Sequence, residues 1–294
     1  MVFDRKLNIL IGFDSREEVA SSVLAHSITK RTKSPLSIKL LKHRELRKNG
    51  DFARPWLIDG ATGDFVDLID SRPFSTEFSH TRFLVPHLME YKGWALFVDS
   101  DMVFLSDVKK LFELCDDKYA VMCVKHTHVP TTKVKMDGRE QLRYHRKNWS
   151  SFVLWNCGHP SNAILTPERV NFAKGGDLHS FSWLADCQIG AIPPSYNFIS
   201  GVSQPCKPDV IHYTEGGPWF ENCQDVPYAD IWVDEYEDWQ SNGEHTNIAS
   251  TPTSAHEGKK RKSFSLEEYD TPPGVELPEE DLQVTDSGFM GQQK

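Results

Sequence analysis

The stretch Trp94-Ala95-Leu96-Phe97-Val98-Asp99-Ser100-Asp101-Met102-Val103-Phe104-Leu105 decides how the chain is read. Trp94 to Val98 follow Gly93 as an unbroken apolar run with the length of a strand buried on both faces. The run stops at Asp99-Ser100-Asp101, and apolar character resumes at once with Met102. Unpaired charge in such company costs several kcal/mol to bury, so the two carboxylates call for a counter-cation. Ligands of open α/β sheets gather beyond the C-terminal strand ends, which makes one reading a hard divalent cation bridged to a phosphate-bearing ligand. The other reading is an exposed turn in which the aspartates cap backbone amides.

Composition narrows the classes. With 294 residues, 39% of them hydrophobic, the protein can bury one sizeable core or two small ones. No apolar run approaches a membrane span, and Met1 to Asn8 carries Asp4, Arg5 and Lys6 with no export-signal hydrophobic region behind them, so the expected location is the cytoplasm. The six cysteines form no C-x-x-C pair, which argues for free thiols rather than a zinc ribbon or a disulfide framework. Residues 241–294 hold ten acidic residues against five Lys/Arg, so −5 of the net −9 sits there. The mildly acidic remainder carries no electrostatic footprint for nucleic acid.

Working outward in both directions, strands and helices alternate. Leu7 to Gly12 reads as a strand that breaks at Asp14; Ser15 and Glu18 have the spacing of a capping box, with Val19, Val23, Leu24 and Ile28 at helical intervals behind. Such an opening sets Asp14 and Arg16 at a helix start beside the sheet's C-terminal edge, where a nucleotide can bind or the aspartate can simply cap. The G-x-G-x-x-G dinucleotide fingerprint is absent. Leu36 to Leu41 reads as a second strand, Arg44 to Lys48 as a helical turn, and Arg82 stands in an apolar helix around Pro86. A helix opened by Ser106 and Asp107 and strands at Tyr119 to Val124 and Phe152 to Trp155 continue the alternation, which predicts a mostly parallel sheet with helices on both faces.

The texture changes at Lys125 to Lys147, a basic loop with seven Lys/Arg and three histidines, suited to closing over an anionic ligand or to solvent alone. Asn156-Cys157-Gly158 ends the next strand, and Thr166-Pro167 starts a helix. Asp186 lies in apolar company, either as a site residue or as a carboxylate satisfied by backbone amides. His212, ending Val210-Ile211-His212, could supply a nitrogen ligand to a site begun by Asp99 and Asp101, or be structural. Beyond Gln240 the Ser/Thr/Pro/Gly-rich composition cannot offset its ordering entropy, so residues 1–240 are expected to form the catalytic unit and 241–294 a flexible tail.

Asp14, Arg82, F-V-D-S-D, W-N-C-G, the Asp186 segment with P-P-S-Y-N and I-H-Y-T-E-G-G-P-W together resemble glycosyltransferase family 8 over about residues 7–220. The resemblance implies the GT-A fold, a Rossmann-like α/β unit with a mixed, mostly parallel sheet. It implies a hexosyltransferase that uses a UDP-sugar with retention and glycosylates a glycan or other hydroxyl acceptor. Asp99, Asp101 and His212 would hold Mn2+ or Mg2+. Asp14, Arg16, Ser100 and Gly217 would meet the nucleotide, while Arg82, Asn156, Asp186 and Gln188 would line the donor sugar and the reacting carbon. The sequence leaves the family pattern where Gly217 precedes Pro218, since a lysine usually stands there. Two rivals are a silent sugar-nucleotide-binding scaffold and a haloacid-dehalogenase-type phosphatase; for the latter the mid-sequence D-S-D-M-V is a poor match.

Overall fold

A computed structural model describes residues 6–61, 65–126, 146, 148–200 and 202–242. The apolar runs become strands β1 Leu7–Gly12, β2 Leu36–Leu41, β3 Trp56–Ile58, β4 Phe65–Asp67, β5 Arg72–Pro73, β6 Trp94–Val98, β7 Met102–Phe104, β8 Val121–Cys123, β9 Phe152–Asn156, β10 Ile189–Ala191, β11 Phe198–Ile199 and β12 Val210–His212. The helices are α1 Glu18–Thr29, α2 His43–Asn49, α3 Val85–Leu88, α4 Lys109–Phe112, α5 Pro167–Phe172, α6 Gly175–His179 and α7 Ala229–Asn242. Six strands form the central sheet in the order β10-β8-β9-β6-β1-β2. Only β9 runs against its neighbours, so the sheet is mixed and mostly parallel, as expected.

Both faces of the sheet's middle are covered, which is why β6 and β8 are apolar and buried at every position, whereas the edge strand β2, with Ser37 and Lys39, alternates and is half-buried. In β6, Ala95 and Phe97 point into one core layer with Leu10, Val153 and Trp155. Trp94, Leu96 and Val98 point into the other with Ile9, Ile11 and Leu154. A second sheet, β11-β12-β7, continues from the end of β6, with β12 antiparallel to β7. Gly12 ends β1 where the ring of Phe78 leaves no room for a Cβ. This close approach draws the Phe78 segment, with Arg82 after it, against the sheet's C-terminal edge.

Local departures have local causes. Asp14, not Ser15, caps the first helical turn: its carboxylate accepts from the Arg16 amide, a 3-10 turn follows, and α1 begins at Glu18. Ser15 instead donates to Glu77. The acidic, aromatic run after Tyr228 is helix α7, extending through Asn242 and so beyond the expected end of the core. It is tied to α1 by Arg31 and Lys30 on the buried Glu235 and by His26 on Asp238. The tail from 243 on, and most of the basic loop 125–147, lie outside the described residues. The six cysteines are free; only Cys123 and Cys157 are fully buried, and burial pushes both thiols up to about 12. No helix among the described residues is long and apolar enough to cross a membrane.

The antiparallel hairpins β3-β4-β5 were not legible in the sequence, and a buried cation fastens them. Arg54, fully buried, makes a bidentate pair with Asp67 and reaches Asp70 and the carbonyls of Val170 and Ala173 at the end of α5. Asp70 in turn accepts from the Gly175 amide at the start of α6. Removing one member of such a cluster strands the others in a low dielectric. Arg54→Met is expected to cost about 3–5 kcal/mol in urea unfolding, against less than about 1 kcal/mol for Lys92→Met, which removes an exposed ion pair.

Candidate active site

The acidic turn sits where three elements end together. Ile11 of β1 lies beside Val98 of β6, so the segments after both strands emerge at one edge. The Asp99 amide donates to the Ser151 carbonyl just before β9. On the other side His212 of β12 is in register with Met102, and the Tyr213 amide donates to the Asp101 carbonyl. The backbone thus leaves β6, turns through Asp99-Ser100-Asp101 and enters β7 held on both flanks.

One ligand atom from each of Asp99, Asp101 and His212 falls within 4.8 Å of the others. His212 is buried and its Nε2 lies 3.2 Å from Asp101 Oδ1. The Oδ1 atoms of Asp99 and Asp101 are buried and receive no well-directed hydrogen bond. Two carboxylates with under-satisfied oxygens and an imidazole fit a divalent cation, Mn2+ better than Mg2+ on ligand type. Arg82 flanks the trio: its Nη1 lies 2.8 Å from Asp99 Oδ1 and donates to the Ser150 carbonyl, and its guanidinium lies against the rings of Phe78 and Phe97.

A third carboxylate, absent from the sequence reading, faces the pair. Glu17 Oε2 accepts from Ser100 Oγ at 2.8 Å, so the fully buried Ser100 turns toward Glu17. Burial, and then the Asp101 charge, push Glu17 up to about 8. Burial raises Asp99 to about 7, with Arg82 opposing and Asp101 adding to the shift. For His212 burial pulls down, yet the Asp101 and Asp99 carboxylates outweigh it and the imidazole is raised. His179, whose Nδ1 meets Ser150 Oγ, is another neighbour of Arg82 that no motif announced. Its only sequence signal is a histidine in a glycine-rich helical turn.

The remaining expected residues divide by sheet edge. Asp14 is at the acidic edge, fully buried, its carboxylate forked by Arg16 and touched by the Glu77 amide. Burial opposes ionisation, but the Arg16 hydrogen bonds prevail and hold Asp14 below the usual range. Gly217 lies in the turn after β12 against Trp219, which itself packs on Tyr213. Asn156, Asp186 and Gln188 are not brought to the acidic turn. The antiparallel register sets Asn156 opposite Trp94, where β6 begins. The Gln188 carbonyl accepts from the Ala120 amide just before β8, and the Ala120 carbonyl accepts from the Asn156 amide. Asp186, 79% exposed rather than in apolar surroundings, is paired with Arg146, and the Gln188 side chain donates to Ser161. Strand direction places Asn156 and Gln188 at the sheet's other edge.

No family model matches the chain. Over 241 residues it is 45% identical to Protein CDI of Arabidopsis thaliana, covering 80% of this chain and 88% of that protein. The apo structure of the WbbM bifunctional glycosyltransferase is similar with a TM-score of 0.55 at 16% identity, over 85% of this chain and 53% of that one. The glycosyltransferase GlyE of Streptococcus pneumoniae TIGR4 gives 0.51 at 15% identity, over 80% of this chain and 63% of that one. The protein therefore spans about half to under two thirds of the length of these solved chains. At such identities the likeness is one of fold, here the GT-A glycosyltransferase fold.

Glu17, Asp99 and His212 all bind protons more tightly folded than unfolded. Their contribution to stability is complete below the unfolded pKa and is lost as pH rises through the raised, folded values, about 7 to about 8 for the two carboxyls. Chelator-treated protein is expected to lose melting temperature between about pH 5 and about pH 8. Glu17→Gln, which keeps the Ser100 contact, should recover ~1 kcal/mol, or ~2–4 °C, at the upper end and nothing at the lower.

Proposed function

The chain belongs to the family of Protein CDI, and from that premise and the geometry of the acidic turn we propose a metal-dependent glycosyltransferase of the family 8 type. It would move a hexose from a UDP-sugar to a hydroxyl acceptor such as a glycan, with retention. The observation that carries the proposal is the meeting of the Asp99-Ser100-Asp101 turn with His212, from a segment distant in sequence, at the C-terminal edge of a GT-A sheet. Asp99, Asp101 and His212 would hold Mn2+, which when bound neutralises charge developing on a departing diphosphate.

The protein's own groups do the rest. Arg82, fixed against two rings, supplies a buried positive charge at the same edge and keeps Asp99 oriented. Asp14 and Arg16, locked to each other, present a rigid polar pair at the helix start, suited to the base and ribose. Ser100, bonded to Glu17, and Gly217, against Trp219, are both buried and would shape the site from behind. Asn156 and Gln188 stand by strand register at the other edge, and Asp186 is engaged by Arg146, so the reading proposed here does not use them. As a phosphatase nucleophile Asp99 would be poorly placed, since its carboxylate is ion-paired with Arg82.

The test is a thermal shift with UDP, with and without Mn2+, followed by a nucleotide-sugar panel read for Mn2+-dependent hydrolysis. A UDP shift that needs Mn2+ is expected. Asp101→Asn should lower hydrolysis at least ~100-fold with the fold intact by circular dichroism. Full hydrolysis in that variant would sink the cation assignment.

A further inference from the structure

A closed set of buried hydrogen bonds behind His212 determines which of its ring nitrogens faces the acidic pair. His212 Nδ1 lies 2.8 Å from Asn197 Oδ1. Asn197 Nδ2 donates to Ser151 Oγ at 3.0 Å, and Ser151 Oγ donates to the Asn148 carbonyl at 3.0 Å. Asn197 is fully buried, Ser151 and His212 nearly so. A carbonyl oxygen can only accept, so the serine proton goes to Asn148 and the serine oxygen is left to accept from the Asn197 amide nitrogen. That fixes the amide with its oxygen toward His212, and an oxygen there requires a proton on Nδ1.

We propose that Asn197 is a positioning residue that holds His212 in the Nδ1-protonated tautomer, so that Nε2 presents its lone pair to Asp99 and Asp101. The proposal deepens the cation reading above and rests on it for its use, though not for its geometry. The ring of contacts also ties the two halves of the site together. The Ser151 carbonyl that accepts from the Asp99 amide belongs to the residue whose hydroxyl braces Asn197. Asn197 ends the Pro194–Asn197 turn that leads into β11, and β11 pairs with β12 beside His212, so backbone pairing carries the amide to the imidazole. Ligating histidines elsewhere depend on such partners, whose removal costs roughly 10–100-fold in metal affinity.

The experiment reads the tautomer first. In cation-free, 15N-histidine-labelled protein, with pH raised from about 9 until the His212 ring is neutral, two-bond 15N–1H correlations report which nitrogen of His212 is protonated. His212→Gln supplies the assignment. In the neutral ring, Nδ1 protonated with Nε2 bare is expected in the wild type, and Nδ1 bare with Nε2 protonated overturns the proposal whether or not Mn2+ binds. Asn197→Leu should release the ring to a tautomer mixture and weaken calorimetric Mn2+ binding ~10–100-fold. Asn197→Asp, which still accepts from Nδ1, should keep the tautomer; an unchanged tautomer in Asn197→Leu overturns the assignment. Should Asn197→Leu fail to fold, Ser151→Ala, which frees the amide to rotate, gives the same comparison. A wild type with Nδ1 protonated but no Mn2+ binding would remove the cation reading and leave the tautomer assignment standing.

Discussion

Carboxylates gathered in a largely, though not fully, buried space are the constraint on which the architecture of this edge depends. Asp99, Asp101 and Glu17 converge where β6 gives way to β7, and Arg82 supplies a permanent cation on the Asp99 side. Like charges at such distances cannot all ionise in a low dielectric without compensation. The raised values of Glu17 and Asp99 express that deficit, as does the raised His212. A divalent ion would close the charge balance in one step.

Comparison with the other two acidic–histidine clusters among the described residues sharpens the point. Asp67, Asp70 and His80 surround Arg54, whose guanidinium is saturated by carboxylates and carbonyls; that cluster is a fastening between the hairpins and α5–α6. His26, Glu235 and Asp238 surround Lys30 and Arg31 and fasten α7 to α1. Both have a resident lysine or arginine within the cluster. At the third, Arg82 pairs with Asp99 alone, and Asp101 has only the His212 imidazole beside it while Glu17 adds a further carboxylate. Proximity of acids and histidines is common to all three; the incomplete compensation is not.

Much of the sheet could be read from the sequence because its strands are buried on both faces, and a doubly buried strand writes itself as an uninterrupted apolar run. Leu7–Gly12 and Trp94–Val98 have the expected bounds for that reason, while Leu36–Leu41, an edge strand with Ser37 and Lys39, is marked by alternation instead. The hairpins β3 to β5 are short, half-exposed and held by Arg54, and nothing in their apolar pattern announces them. Glu17 and His179 escaped notice because a single acid in a helix start, or a histidine in a glycine-rich turn, has an ordinary local explanation.

Sequence alone determined the strand-to-turn break at Asp99-Ser100-Asp101, the doubly covered sheet and the residue types suited to a cation, since each is written in contiguous or periodic side chains. Tertiary structure decided which of the named residues meet. His212 and Arg82 come to the acidic turn because β12 pairs with β7 and Phe78 packs on Gly12. Asn156 and Gln188 go to the opposite edge because β9 runs antiparallel and β10 starts after Gln188. Strand direction and order are set by long-range packing and hydrogen bonding, and a linear pattern of apolar residues looks the same whichever way its strand runs.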